Sequence, residues 1–301
     1  MTAHSERGAG PVRRSGPSVL LTLPALVFFA TFAIVPLGAA VWLSFTEWSG
    51  LGDPTWVGLD NWRALLTTHD TGHALWLTVQ LMVLTWAVQT PVSILLGVFL
   101  AGRQRYREIL AVVYFVPLLL SSAAIAIAFR NLLDPNFGLF AGPGLAWLNQ
   151  NWLGDPDRVF VTVAFIIAWQ FIPFHTLLYQ GGARQVPQSL YEAAAIDGAG
   201  RVRQFLAITL PQLRYTIVTS STLMLVGALT YFDLIYILTQ GGPGNATRIL
   251  PLDMYLTGFT GNQMGLASAI AVVLVVLGMV LSLTISTASG FSRMESQLDG
   301  E

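Results

Sequence analysis

The chain of 301 residues contains no cysteine and no lysine. Without cysteine it has no disulfide, no thiolate metal site and no cysteine nucleophile. Without lysine it cannot build an ordinary phosphate-binding loop, in which a lysine reaches the nucleotide phosphates. If ATP serves this protein, another chain hydrolyses it. Charge is scarce as well: charged residues make up 10% of the chain, against about 25% in a soluble domain. Hydrophobic residues make up 54%. So few charges cannot cover a soluble surface of this size. The chain reads as an integral membrane protein, of a length that suits one membrane domain. The formal net charge of −1 says little by itself; the placement of the fifteen arginines says more.

About 20 apolar residues are needed to cross roughly 30 Å of hydrocarbon. Six runs meet that requirement, near 18–45, 74–101, 109–129, 159–180, 215–238 and 265–288. The expectation is a polytopic all-α protein with six transmembrane helices and no internal repeat. Residues 1–17 and 289–301 read as polar tails flanking a membrane domain over 18–288. The first run follows Arg13 and Arg14, so a cleaved signal peptide is its rival reading. A signal core is about 7–15 residues. This run is longer and ends in the interfacial residues Trp42 and Trp48, which favours an uncleaved span.

Arginine placement sets the orientation. Arg7, Arg13 and Arg14 precede the first span. Arg103, Arg105 and Arg107 lie in the second connection, Arg184, Arg201, Arg203 and Arg214 in the fourth, and Arg293 in the C-terminal tail. The opposite side has only Arg63, Arg130, Arg158 and Arg248, and is richer in acids and aromatics such as Asp53, Trp56, Trp62, Trp147 and Asp157. Both termini are therefore expected in the cytoplasm.

The longest cytoplasmic connection, 181–213, holds charges and glycines between two apolar runs. Pro187 turns the chain. Ser189 and Glu192 have the S-x-x-E spacing of a capping box. An alanine-rich helix should follow, break at Gly198 and Gly200, and give way to a second short helix from Arg201. Val202, Phe205, Leu206 and Thr209 then share one face, and Pro211 closes the unit. Two short helices meeting at glycines make a compact elbow with charged residues at its rim. Its rival is a helix lying on anionic lipid.

The residues Glu192-Ala193-Ala194, then Gly198, then Ile208-Thr209-Leu210-Pro211 resemble the EAA loop of bacterial ABC importer permeases, with the spacing matched throughout. The stretch FDLIYILTQGGPGNAT, residues 232–247, is similar to the end of the penultimate span in carbohydrate permeases of the maltose and glycerol-phosphate type. The resemblance covers nearly the whole chain. It implies the six-helix transmembrane domain of a type I ABC importer, the first of two permease subunits, with an EAA coupling loop. That loop would dock in a groove on the ATP-hydrolysing subunit through Glu192, Ala193, Ala194, Asp197, Gly198 and Arg201. A side chain at Gly198 would add bulk and restrict a turn with positive φ. The implied partners are a second homologous permease, a dimer of ATP-binding subunits, an extracellular or periplasmic sugar-binding protein, the sugar and membrane lipid. ATP and magnesium would bind the ATPase subunits and no cofactor this chain. Nucleic acid has no place in this reading, and the location is the bacterial cytoplasmic membrane.

Polar side chains inside spans usually face a cavity, because unpaired acids there are costly. Asp233 is the one carboxylate expected well inside a span, with Thr230, Tyr231 and Tyr236 close in sequence. Carboxylates accept from sugar hydroxyls, and aromatic rings stack on C–H faces. Trp169 and Gln170 on the fourth span are expected to line the same path. A structural hydrogen bond to a neighbouring helix, or a place near the outer end as part of a gate, is the alternative for Asp233. His175 follows Pro173, where a helix bends, and is expected to bond a freed carbonyl. Gln80, Trp86 and Gln89 are weaker candidates. His69 and His73 have metal-like spacing but no third ligand in frame, so no metal site is expected. The competing functions are an ion-coupled secondary transporter, which commonly shows repeats and several buried ionisable groups, a membrane enzyme and a passive anchor. The expected chain performs no chemistry and has no catalytic residue.

Overall fold

The computed structural model describes residues 22–102, 104–142 and 145–289. The tails at 1–17 and 290–301, and with them Arg7, Arg13, Arg14 and Arg293, lie outside the described residues, as does Arg103. What is described is a helical bundle. Four unbroken apolar helices are long enough to cross a membrane: α1 (Leu23–Leu43), α3 (His69–Leu100), α6 (Pro156–Gln185) and α12 (Met264–Ala288).

The third and fifth expected spans are each broken. α4 (Arg105–Leu119) meets α5 (Ser122–Leu132) at 95°, and α9 (Arg214–Ala228) meets α10 (Asp233–Thr239) at 47°. The first break has a local cause. Pro117 removes an amide from the end of α4, Leu120 and Ser121 adopt extended backbone, and the Ser121 hydroxyl accepts from the Ala124 amide to start α5. At the second, the Leu229 and Thr230 amides turn back to Val226 and Gly227, the Thr230 hydroxyl donates to the Gly227 carbonyl at 2.7 Å, and Phe232 leaves helical geometry. An apolar run therefore sets the length of a span without fixing its straightness.

Between α1 and α3 lie a two-stranded hairpin, β1 (Thr46–Glu47) paired antiparallel with β2 (Thr55–Trp56), and a short helix, α2 (Asp60–Thr67). Two further short helices, α7 (Gln188–Ile196) and α8 (residues 201–212), form the fourth connection. A last one, α11 (residues 250–260), precedes α12. At two prolines the helix widens instead of breaking. α1 has a π-turn at Ala30–Ile34 just before Pro36, and α8 has one at Phe205–Thr209 just before Pro211.

The main core joins α3, α5, α6, α10 and the start of α11 through Leu81, Ile125, Ile166, Ile167, Ile235 and Leu252. The two half-helices beyond the breaks pack directly on one another. In lipid there is little hydrophobic drive between helices, so close backbone approach matters more. Gly97 of α3 shows this: a Cβ there would lie 2.6 Å from the Tyr179 Cβ and 2.9 Å from the Gln180 amide nitrogen of α6. α1 lies at the edge, with none of its residues buried, and packs only part of one side against α12. Its Phe28, Phe32 and Val35 turn outward, as suits a helix surrounded by lipid.

Candidate functional site

The two breaks meet at a cavity of about 350 Å³. One wall comes from Leu118 and Ser122, on either side of the first break. The other comes from Gly227 and the run Thr230–Leu234 at the second. α6 supplies the back through Ile167, Phe171, Phe174 and His175. A 15-residue helix rises about 22 Å, so the second break stands about 22 Å along the helix from its Arg214 end, most of the roughly 30 Å that a hydrocarbon layer measures. Breaking both helices here frees backbone groups and turns short polar side chains toward a pocket otherwise walled by leucine, isoleucine and phenylalanine.

Asp233 is the first residue of α10 rather than a mid-helix residue. Its side chain is exposed and lines the cavity, and it forms no ion pair among the described residues. Thr230 and Tyr231 line the cavity beside it, with the Tyr231 ring stacked on Phe171 at 5.3 Å. The other three expected path residues are not in the cavity lining. Tyr236 is half-buried in an aromatic ladder, 5.4 Å from Phe232 and 5.1 Å from Tyr255. Trp169 packs edge-on against Phe129 at 5.3 Å. Gln170 is buried, and its Nε2 donates to the Ser122 hydroxyl at 3.0 Å, which holds that hydroxyl at the cavity rim.

His175 both lines the cavity and bonds within it. Its Nδ1 shares a hydrogen bond of 2.9 Å with the Ser220 hydroxyl rather than with a carbonyl freed by Pro173. Trp86 donates from Nε1 to the Ser221 hydroxyl at 2.9 Å, and Gln89 is fully buried. Ser122, Phe171 and Phe174 were not singled out in the sequence. The signal for Ser122 was present in PLLLSS, a proline followed by a helix-starting serine, but it could be read only with the break in mind. Among the described residues, no three His, Cys, Asp or Glu side chains converge as a metal cluster.

The second region is the elbow in the fourth connection. α7 begins after Pro187, which makes no side-chain cap, and Ser189 lies inside the helix. The expected capping box is therefore not formed; the proline turn itself supplies the start, with the Leu190 amide bonded to the Pro187 carbonyl at 3.2 Å. α7 ends in a Schellman turn. The Ala199 amide donates to the Ala194 carbonyl at 2.8 Å, and the Gly198 amide to the Ala195 carbonyl at 3.1 Å. Gly198 has φ +77°, a conformation glycine adopts without penalty, and nothing lies within 4 Å of where its Cβ would be.

The elbow is braced from both sides. The Gln204 side chain donates to the Ala199 carbonyl at 2.8 Å, and the Tyr191 and Thr209 hydroxyls share a hydrogen bond of 2.9 Å. Of the expected apolar face, Thr209 is buried and Phe205 half-buried, whereas Val202 and Leu206 point outward. With Ile196 they form an apolar tip, 87% exposed at Ile196, 73% at Val202 and 56% at Leu206. Glu192, Ala193, Asp197 and Arg201 are also exposed and Ala194 half-exposed. No ion pair among the described residues ties up Glu192, Asp197 or Arg201. Of the expected docking set, Glu192, Ala193 and Ala194 lie on α7, Asp197 and Gly198 in the turn that ends it, and Arg201 at the start of α8, on the same elbow as the exposed apolar side chains.

Residues 93–289 match the family described as the binding-protein-dependent transport system inner membrane component. That match takes in both breaks, the cavity and the elbow. Among curated relatives, the probable ABC transporter permease protein YurN of Bacillus subtilis is 34% identical over 271 residues, covering 88% of this chain and 92% of that one. The trehalose/maltose transport system permease protein MalF of Thermococcus litoralis is 31% identical over 274 residues, covering 88% and 90%. The arabinooligosaccharides transport system permease protein AraP of Bacillus subtilis is 32% identical over 282 residues, covering 92% and 89%. Among solved structures, a bacterial alginate ABC transporter in complex with an alginate pentasaccharide-bound periplasmic protein superposes with a TM-score of 0.80. It covers 92% of this chain and 95% of that one, and at 21% identity it shows a shared fold.

Proposed function

The chain belongs to the family of binding-protein-dependent transport system inner membrane components, and we propose that within it the chain forms half of the path by which a neutral sugar enters the cell. It is a multi-pass membrane permease whose relatives are permease subunits of ABC transporters rather than enzymes. The observation that carries the proposal is the meeting of two broken spans around a cavity with Ser122, Thr230, Tyr231 and Asp233 in its wall. Hydroxyls and a carboxylate there accept from and donate to sugar hydroxyls, while Phe171 and Tyr231 offer ring faces. The named cargoes of several relatives, trehalose and maltose for one and arabinooligosaccharides for another, support a carbohydrate.

One such bundle leaves the cavity open on a side, so a second, homologous permease completes the path. A binding protein delivers the sugar at the outer face, and a pair of ATP-binding subunits sits below, at the cytoplasmic face that holds both termini. The elbow is the coupling element. Its Schellman turn and its two side-chain braces make it a stiff unit, and a stiff unit transmits a rigid-body displacement. Glu192, Ala193, Ala194, Asp197, Gly198 and Arg201 meet the ATPase, and the exposed apolar tip fills its groove. Closure of the ATPases around ATP moves the elbows together and turns the cavity from inward-facing to outward-facing. ATP and magnesium are held by those subunits.

The test is uptake in vesicles of the native complex with all ion gradients collapsed by ionophores. Uptake of labelled oligosaccharide that needs internal ATP and survives the ionophores supports this reading. Uptake driven by a proton or sodium gradient without ATP would replace it with a secondary carrier.

A further inference from the structure

Three features of the cavity have a joint consequence for the charge of its cargo. Asp233 projects into the cavity from a break in a span and has no ion-pair partner among the described residues. The other lining residues carry no arginine, and the chain has no lysine at all. His175, the one basic side chain in the lining, is 3% exposed and held by Ser220. The walls are leucine, isoleucine and phenylalanine, which screen a charge far less than water does. A carboxylate in such a setting sets the sign of the local potential.

We propose that Asp233 makes the cavity charge-selective: it admits neutral sugars and sugars bearing an ammonium group, and repels sugars bearing a carboxylate or phosphate. This rests on the cavity being the translocation path. The fold alone does not decide the matter, because a transporter of the same fold is described with an acidic oligosaccharide. The sign of the charge in the wall does. At about 6 Å, a unit charge feels Asp233 by a factor of roughly 3 if the cavity is as polar as water and roughly 100 at an effective dielectric constant of 20. A cation and an anion are displaced in opposite directions, so their ratio changes by at least about tenfold at low salt, and by less where salt screens the charge.

The cysteine-free chain allows a direct measurement. Leu223 lines the cavity and is 46% exposed. Leu223→Cys, with Thr230→Cys as a second reporter, is placed in the full complex in native membrane vesicles at low ionic strength. The rates of reaction with a cationic and an anionic methanethiosulfonate of similar size are measured and normalised to a free thiol. The expected ratio favours the cation by about tenfold or more. It is kept in an added Asp233→Glu and falls toward unity in an added Asp233→Asn. A ratio that is the same with Asp233 and with Asn at that position overturns the charge filter. Absence of reaction at both reporters, with either reagent and with ATP supplied, overturns the path on which the filter rests.

Discussion

Gly198 separates two ways in which a turn can matter. Alanine at this position meets no neighbour, because nothing lies within 4 Å of the Cβ position. What it meets is backbone strain: at φ +77° an L-residue other than glycine is disfavoured by roughly 1–2 kcal/mol. That strain is confined to an exposed turn outside the packed core, and the chain should still insert. Asparagine tolerates the left-handed region better than alanine, so it relieves strain while adding more bulk. Aspartate adds bulk and a negative charge beside Asp197 and Glu192. If Gly198 served only the shape of the free elbow, uptake would rank glycine, asparagine, aspartate, alanine. If it lies against the ATPase, uptake ranks glycine, alanine, asparagine, aspartate. The account expects the second order, with Gly198→Asp losing nearly all ATP-driven uptake while its amount in the membrane, read by immunoblot, stays near that of the parent. Normal uptake by Gly198→Asp would refute the docking role.

Other expectations follow from the same packing. Gly97→Leu should strongly reduce the amount of folded chain, since even a Cβ would press on Tyr179 and on the α6 backbone; overpacking of this kind costs about 1–3 kcal/mol or more, and a thermal melt in detergent reads it. Tyr191→Phe removes one brace of the elbow, worth about 1 kcal/mol, and should lower uptake less than Gly198→Asp does. Asp233→Ala should lower uptake more than it lowers expression; uptake equal to that of the parent would return Asp233 to a purely structural role. Asp253 is buried and paired with Arg248 at 2.7 Å. Its burial holds the carboxyl above its usual range against the pull of Arg248. A raised value means that the ionised carboxylate stabilises the fold less than its ion pair alone would suggest, so Asp253→Asn, which keeps an oxygen to accept from Arg248, should lose less than Asp253→Ala, which leaves Arg248 unpaired and should lose about 3 kcal/mol.

Much of the architecture was legible because lipid imposes a simple rule on length and polarity. As far as the residues are described, all six apolar runs became helices, and four of them are unbroken. The breaks were not legible from hydropathy, which is blind to direction. Pro117 with Ser121 and Ser122, and Thr230 before Asp233, bend the chain without making it polar enough to interrupt an apolar run. That is why Asp233 was expected mid-helix and instead starts one. The cavity is a property of two breaks meeting, so only three of its expected residues, Thr230, Tyr231 and Asp233, line it, while Tyr236, Trp169 and Gln170 lie outside the lining. The elbow was more legible because its geometry is local. Glycine at a positive φ and proline beyond a short helix act within a few residues. The capping box failed for an equally local reason: Pro187 already starts the helix, leaving Ser189 inside it.

The central claim is that this chain works as one subunit of an ATP-driven importer. It is tested most directly by drawing the chain from its native membrane in mild detergent and identifying what accompanies it. The account predicts a second permease and an ATP-binding subunit in fixed proportion, with the ATP-binding subunit lost from Gly198→Asp and the second permease retained. Recovery of this chain alone, still transporting sugar after reconstitution without ATP, would contradict it.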